Sequence, residues 1–304
     1  MNVLIAGIGS IAKKHISALR AIDPAVRIMG LRSSAASAPV ESVEDVYSIG
    51  SLSASPDFAI ISNPTYRHIQ TIEEFLALDI PLFIEKPLAH GLDGLQECVE
   101  AVRLAGTVTY LACNLRFHPV IRYLKSHIAG KRLNEVNVYC GSYLPEWRNG
   151  ADFRNSYSSR PEMGGGVHLD LIHEMDYCYW LFGKPLHAHS FRTSDSSLGI
   201  AAVDHANYHL RYIDFSVSII LNYYRRDAKR QIELVFEDQT WICDLIHCRI
   251  IDGAGKIVFE RNDFQMMETY HAQMQYFLDS LRAGSDMMNS VKEGAEVLAL
   301  ALYE

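Results

Sequence analysis

The sequence predicts an α/β protein: an N-terminal doubly wound parallel sheet, then an α+β domain with a largely antiparallel open sheet. Three observations carry this. The runs "VLIA", "FAIIS" and "PLFIE" are short and apolar throughout, as expected of parallel strands buried on both faces. Stretches of helical periodicity lie between them, which is the rhythm of βαβ units. From 186 to 260 the chain reads instead as successive strands, rich in aromatic and β-branched residues, with turn signals such as Asp252-Gly253.

Taken in order, the first domain (1–118) has strands at 2–6, 26–31, 58–62, 81–85 and 108–113. Helices lie between at 11–22, 67–78 and 92–105. The character changes near "NLRFHP" (114–119). The second domain (119–304) opens with a helix at 119–129, a strand at 134–143 and a long polar loop to about 162. A glycine run then leads into a helix at 167–182. The strand-rich region follows, and the chain closes with helices at 264–283 and 290–303.

Composition narrows the function classes. The 304 residues are 49% hydrophobic and 21% charged, with a net charge of −8. That balance fits a cytoplasmic globular protein and argues against a nucleic-acid binder, which is usually basic. No apolar run approaches the ~18 residues of a membrane span, and strand 2–6 leaves no room for a signal peptide. The six cysteines show no C-x-x-C spacing and read as buried free thiols. No H-E-x-x-H occurs, since "HEMDY" lacks the second histidine, so no metal is expected.

Gly7-Ile8-Gly9-Ser10-Ile11-Ala12 follows a strand and opens a helix. One glycine permits the tight turn, the next lets the backbone approach a pyrophosphate, and a small third residue allows helix–strand packing. Amides at the helix N-terminus then meet the phosphate charge. An acidic residue at the end of the second strand would bind the ribose 2′-hydroxyl of NAD. Here that end reads Leu31-Arg32-Ser33-Ser34. A guanidinium with hydroxyls suits a 2′-phosphate, so NADP is expected over NAD. The alternative is that Arg32 is solvated or stacks on adenine without discriminating.

Two further segments fall at the carboxyl edge of the sheet, where open α/β folds bind ligands. "SNPTYRHIQ" places Ser62, Asn63 and Pro64 there, with His68 in the next helical turn. "FIEKPLA" ends a buried strand in Glu85-Lys86-Pro87, and the proline restricts the backbone of Lys86. A lysine there can bind a substrate hydroxyl or relay its proton. In "EMGGGVHLDLIHEMDYCYWLFG", Asp170 and His173 are three apart, so they share a helix face. A buried Asp-His pair is an acid–base group or a structural pair. The loop 142–162 carries Arg148, Arg154 and Arg160 among Tyr143, Trp147 and Tyr157. Those residues suit an anionic, ring-bearing substrate, or an oligomer contact.

Together, G-x-G-x-x-A at the N-terminus, Glu85-Lys86-Pro87, "NLRFHP" and "GGG…D…H…D" resemble the Gfo/Idh/MocA oxidoreductase family. The resemblance spans the chain and includes the closing Tyr270, Gln273 and Phe277 helix. It implies an N-terminal Rossmann domain, a C-terminal domain whose sheet assembles homo-dimers or homo-tetramers, and reversible oxidation of a hydroxyl on a sugar, nucleotide sugar or cyclitol. It implies Lys86 as the catalytic lysine and Asp170 and His173 as its partners at the substrate. Asn63, Pro64, His68, Glu85 and Arg116 match cofactor-side positions. Relatives usually place the histidine four residues after the aspartate. Here the gap is three, which shifts weight from His173 to Lys86 as proton acceptor. The form of this segment is similar to a bacterial subgroup of surface-sugar biosynthesis. The competing readings are a tightly bound cofactor recycled in a non-redox, glycosidase-like reaction and a non-catalytic nucleotide sensor.

Overall fold

The computed structural model describes residues 1–34, 38–148, 150 and 152–303. Its elements run β1 (Asn2–Ala6), α1 (Ser10–Ile22), β2 (Arg27–Leu31), β3 (Glu44–Val46), β4 (Phe58–Ile61), α2 (His68–Leu76), β5 (Leu82–Glu85), α3 (Leu95–Ala105) and β6 (Thr109–Ala112). Then come α4 (Pro119–His127), β7 (Leu133–Tyr143), α5 (Val167–Asp170) and α6 (His173–Phe182). The strands β8 (His187–Thr193), β9 (His205–Arg211), β10 (Ser216–Asn222), β11 (Tyr224–Phe236), β12 (Thr240–Asp244), β13 (Arg249–Asp252) and β14 (Ile257–Glu260) follow, and α7 (Met267–Ala283) and α8 (Val291–Leu302) end the chain.

The chain folds as two compact units. The first comprises Met1–Asn114 and Met266–Glu296, the second Leu115–Gln265 and Val297–Glu304. A single cut at 118 therefore misplaces α7. Its Phe277 ring packs edge-on against Phe58 and Phe83, at 5.1 and 5.3 Å between centroids, so the first unit is completed by residues from far along the chain.

In the first unit the strands are all parallel, in the order β3-β2-β1-β4-β5-β6. The central strands β4 and β5 are buried at every residue, the reason they carry no alternation. The order reverses between β1 and β4, and their carboxyl ends are where a doubly wound sheet binds its ligand. Strand β3 has no counterpart in the sequence reading. It is three residues long and reads Glu-Asp-Val. At the other edge, Asn289 exchanges hydrogen bonds with the backbone of Leu111 on β6, which blocks further strand pairing there.

In the second unit, eight strands are ordered β14-β13-β12-β11-β7-β10-β9-β8. Among the described residues, only β7 and β10 run parallel in this sheet. Alternating burial along β9 and β10 marks a sheet with one covered face. The helix predicted over 167–182 is two helices, broken at Leu171 and Ile172, where Leu171 has φ −101° and ψ 30°. Helix α6 carries two buried acids. Glu174 is held by Arg230 on β11 at 2.6 Å, and Asp176 by Arg116 at 2.6 Å. All six cysteines are free and buried. No helix among the described residues is long and apolar enough to cross a membrane.

Candidate functional site

The glycine turn lies between β1 and α1. Gly7 has φ +85°, and a Cβ there would fall 2.5 Å from Asn63 Cα; both facts require glycine. Gly9 is the N-cap of α1 and has open space where a Cβ would stand. The first turn of α1 has no acidic residue. Ser10 opens the helix, and Ile8 and Ile11 flank the turn, half-buried. A cavity of about 370 Å³ runs beside the turn, lined among others by Gly7, Arg32, Ser33, Asn63, Pro64 and Arg67. Asn63 Oδ1 is buried with no hydrogen-bond partner among the described residues, while its Nδ2 donates to Thr71. An unfilled acceptor, a glycine-lined turn and uncapped helix amides fit a dinucleotide.

Several residues expected at this edge support the turn from behind. Ser62 is buried, and its hydroxyl donates to Gly7 O at 2.9 Å. His68 is 1% exposed, with Nδ1 2.9 Å from Pro87 O and Nε2 2.9 Å from Asn63 O. Burial pulls the pKa of His68 down. Glu85 is buried, with Oε1 2.5 Å from His15 Nε2 and Oε2 accepting the Lys86 N–H at 3.1 Å. Ser62, His68 and Glu85, expected as cofactor contacts, thus have their side-chain polar atoms engaged within the protein. Lys86 follows β5 directly, half-buried, before a cis peptide bond to Pro87.

Arg32 lines the cavity, but not as a lone cation. Its Nε donates to Asp45 Oδ1 on β3 at 2.6 Å, and a terminal nitrogen donates to Ala38 O. A carboxylate on the neighbouring strand thus offsets part of the Arg32 charge.

In the second unit, Asp170 ends α5 and His173 begins α6, so the argument from a shared helix face does not apply to them. Asp170 Oδ2 accepts from Tyr223 at 2.5 Å, and the Tyr223 ring meets Trp147 edge-on at 5.3 Å. The Asp170 charge helps to hold the Tyr223 hydroxyl well above its usual pKa, after burial. His173 is buried. Gly165 is needed because a Cβ would strike Tyr157 O, so the glycine run serves the loop's own backbone. The Tyr157 hydroxyl donates to Gly164 O at 2.9 Å. Arg148 lines a cavity of about 170 Å³ with Trp147, Asp152, Phe153 and Asn155. Arg154 instead lies exposed over the Phe153 ring at 4.6 Å. Residues 149 and 151 of this loop lie outside the described residues. Arg116 is fully buried, and its guanidinium holds both oxygens of Asp176 at 2.6 and 2.9 Å. Expected on the cofactor side, Arg116 is here paired with an acid of its own unit.

Sequence reasoning missed Asp45, Tyr223 and His15. His15 was detectable: it shares the core face of α1 with Ala12, Ile16 and Leu19, and a buried polar group on such a face needs a partner.

Two family models match the chain. One describes an oxidoreductase family with a NAD-binding Rossmann fold and matches residues 1–112; the other, the GFO/IDH/MocA C-terminal domain, matches 121–242. The chain belongs to the Gfo/Idh/MocA oxidoreductase family. Its first unit contains the family's NAD-binding domain. Inositol 2-dehydrogenase of Rhizobium meliloti is 23% identical over 97% of this chain and 93% of its own length. An uncharacterized oxidoreductase, YrbE of Bacillus subtilis, is 27% identical, and its match covers 59% of this chain and about half (53%) of YrbE. Among solved structures, UDP-N-acetylglucosamine 3-dehydrogenase GnnA of Acidithiobacillus ferrooxidans superposes with a TM-score of 0.80 at 16% identity, over 99% of this chain and 95% of that one. The WlbA dehydrogenase of Bordetella pertussis, in complex with NADH and UDP-GlcNAcA, gives 0.79 at 18%, over 100% and 94%. At these identities the structures share the fold.

Proposed function

We propose that this oxidoreductase transfers a hydride between a nicotinamide cofactor and a CH–OH carbon of a sugar, nucleotide sugar or cyclitol. The observation that carries this is the placement of Lys86. It follows β5 at the carboxyl edge of the sheet that holds the glycine turn, with its backbone N–H fixed by Glu85. In this reading Lys86 takes the proton from the hydroxyl as it is oxidised and returns it in reduction. Asp170, oriented by Tyr223, binds a substrate hydroxyl, and His173 assists there. Arg148 and Trp147 hold a ring-bearing or anionic part of the substrate. When bound, the nicotinamide supplies the hydride acceptor or donor.

Gly7, Gly9, Ser10, Asn63 and Pro64 bind the cofactor's phosphate-bearing half, with Arg32 and Ser33 at the adenosine end. Arg32, Ser33 and Arg67 on one cavity favour NADP(H), although Asp45 offsets part of the Arg32 charge. The open face of the eight-stranded sheet, where Tyr139, Ile220 and Ile242 line a groove of about 350 Å³, serves self-association into a dimer or tetramer.

The test is nicotinamide absorbance with a panel of cyclitols, free sugars and UDP-sugars and both oxidised cofactors. Net reduction on one class, abolished in Lys86→Ala while cofactor binding stays within a few-fold, supports the reading. Wild-type turnover in Lys86→Ala removes the lysine from the mechanism.

A further inference from the structure

Lys86 is flanked on both sides by buried histidines that take no part in the chemistry described above. On the N-terminal side, His15 is 0% exposed, edge-on to Phe83. Its Nε2–H donates to Glu85, whose other oxygen holds the Lys86 N–H. On the C-terminal side, His68 Nδ1 binds Pro87 O, the carbonyl just beyond Lys86. Each histidine also leads to the nucleotide turn. His15 stands on α1, the helix that the turn opens. A neutral imidazole carries one N–H; placed on Nδ1 it donates to Pro87 O, and His68 Nε2 then only abuts Asn63 O, in the residue pressed against Gly7, at 2.9 Å. A buried carboxylate is costly unless its oxygens are bonded, and a catalytic group works only if held within a fraction of an ångström. Both needs are met by the same contacts.

We propose that His15 and His68 are positioning residues that clamp the backbone around Lys86 and tie it to the cofactor turn. The inference rests on the role proposed for Lys86. The atom that matters differs between the two: Nε2 at position 15, Nδ1 at position 68. Glutamine places an amide nitrogen near the Nε2 position of histidine, and asparagine near Nδ1. His15→Gln therefore keeps the tie to Glu85, whereas His15→Asn loses it. His68→Asn keeps the tie to Pro87, whereas His68→Gln loses it.

The experiment measures kcat, KM for substrate and cofactor, and melting temperature for these four variants. The expected pattern is crossed. His15→Asn and His68→Gln lose on the order of 10²-fold in kcat, as misplacement of a reacting group by about 1 Å does. His15→Gln and His68→Asn stay within a few-fold, and all four keep cofactor KM within a few-fold. A structural role alone would make kcat follow melting temperature without crossing, and that result overturns the clamp. A second readout needs no substrate. The rate at which an amine reagent labels Lys86, scored by mass spectrometry against exposed lysines such as Lys13, changes several-fold in His15→Asn and His68→Gln only. If wild-type protein turns over no sugar but the labelling pattern is crossed, the proposed reaction fails and the clamp stands. Uniform labelling across the four variants overturns the clamp even where turnover is found.

Discussion

Replacing Asp176 by asparagine tests the structure at the point where it departs most from the sequence reading. The Arg116 and Asp176 side chains are 0% and 1% exposed and meet in two bonds of 2.6 and 2.9 Å. The asparagine side chain keeps the shape and one acceptor but removes the charge, leaving a guanidinium buried without its counter-ion. Breaking such a pair costs about 3–5 kcal/mol. For a unit of this size, each kcal/mol moves the melting temperature by about 2–4 °C, so a fall of roughly 6–20 °C is expected. The assay is thermal unfolding at neutral pH followed by near-UV circular dichroism. Arg116→Met with Asp176→Leu is the control. It removes both charges, so it recovers most of the loss and, once folded, binds NADPH within a few-fold of wild type. A melting temperature within about 2 °C of wild type for Asp176→Asn, a loss of less than about 1 kcal/mol, would refute the buried-pair argument. Lost NADPH binding in a folded double variant would restore Arg116 to the cofactor.

Three further outcomes are expected. Asp45→Asn releases Arg32 from its 2.6 Å partner; a charge-assisted bond is worth about 1.5–3 kcal/mol, so the NADPH-to-NADH affinity ratio rises about 10- to 100-fold, and Arg32→Asp reverses the preference, both read by nicotinamide fluorescence. Gly7→Ala abolishes cofactor binding in the same titration, because its Cβ has no room beside Asn63 at φ +85°. His118 caps α4 through Nδ1, which accepts from Val120 N, while its Nε2–H donates to Leu245 O, and burial lowers its pKa from 6.5 to about 4. The unfolded chain therefore binds the proton first as pH falls. Stability is full above pH 6.5 and declines towards pH 4 by up to about 3 kcal/mol from this residue. His118→Asn, which keeps a cap but cannot titrate, flattens that part of the melting temperature–pH curve.

What is legible in the sequence follows from how local each cause is. The parallel strands, the glycine turn and the Glu85-Lys86-Pro87 strand end are fixed by neighbouring residues, and their expected and observed positions agree within a residue or two. Strand β3 escapes because three residues at a sheet edge carry neither an apolar run nor alternation. The break between α5 and α6 escapes because Leu171 and Ile172 are apolar and buried like the helix around them. No glycine or proline marks the turn, and the backbone departs from helix without a local signal. Consequently spacing pairs Asp170 with His173, while its hydroxyl partner Tyr223 lies 53 residues away.

The charged residues show the same limit more sharply. The end of the second strand turns Arg32 towards a cofactor phosphate, and the family resemblance turns Glu85 and Arg116 towards the cofactor; a charged side chain needs a counter-group in any case. The structure supplies that group from within the protein in all three cases, at separations of 13, 70 and 60 residues. A sequence shows that such a residue must be satisfied but not by what. For Glu85 the answer changes its role rather than removing it. With Glu85 buried and its two oxygens engaged by His15 and by the Lys86 amide, its contribution to the reaction in this reading passes through the lysine beside it. That is why the crossed pattern at positions 15 and 68 reports on chemistry, although neither histidine is placed to touch the reacting atoms.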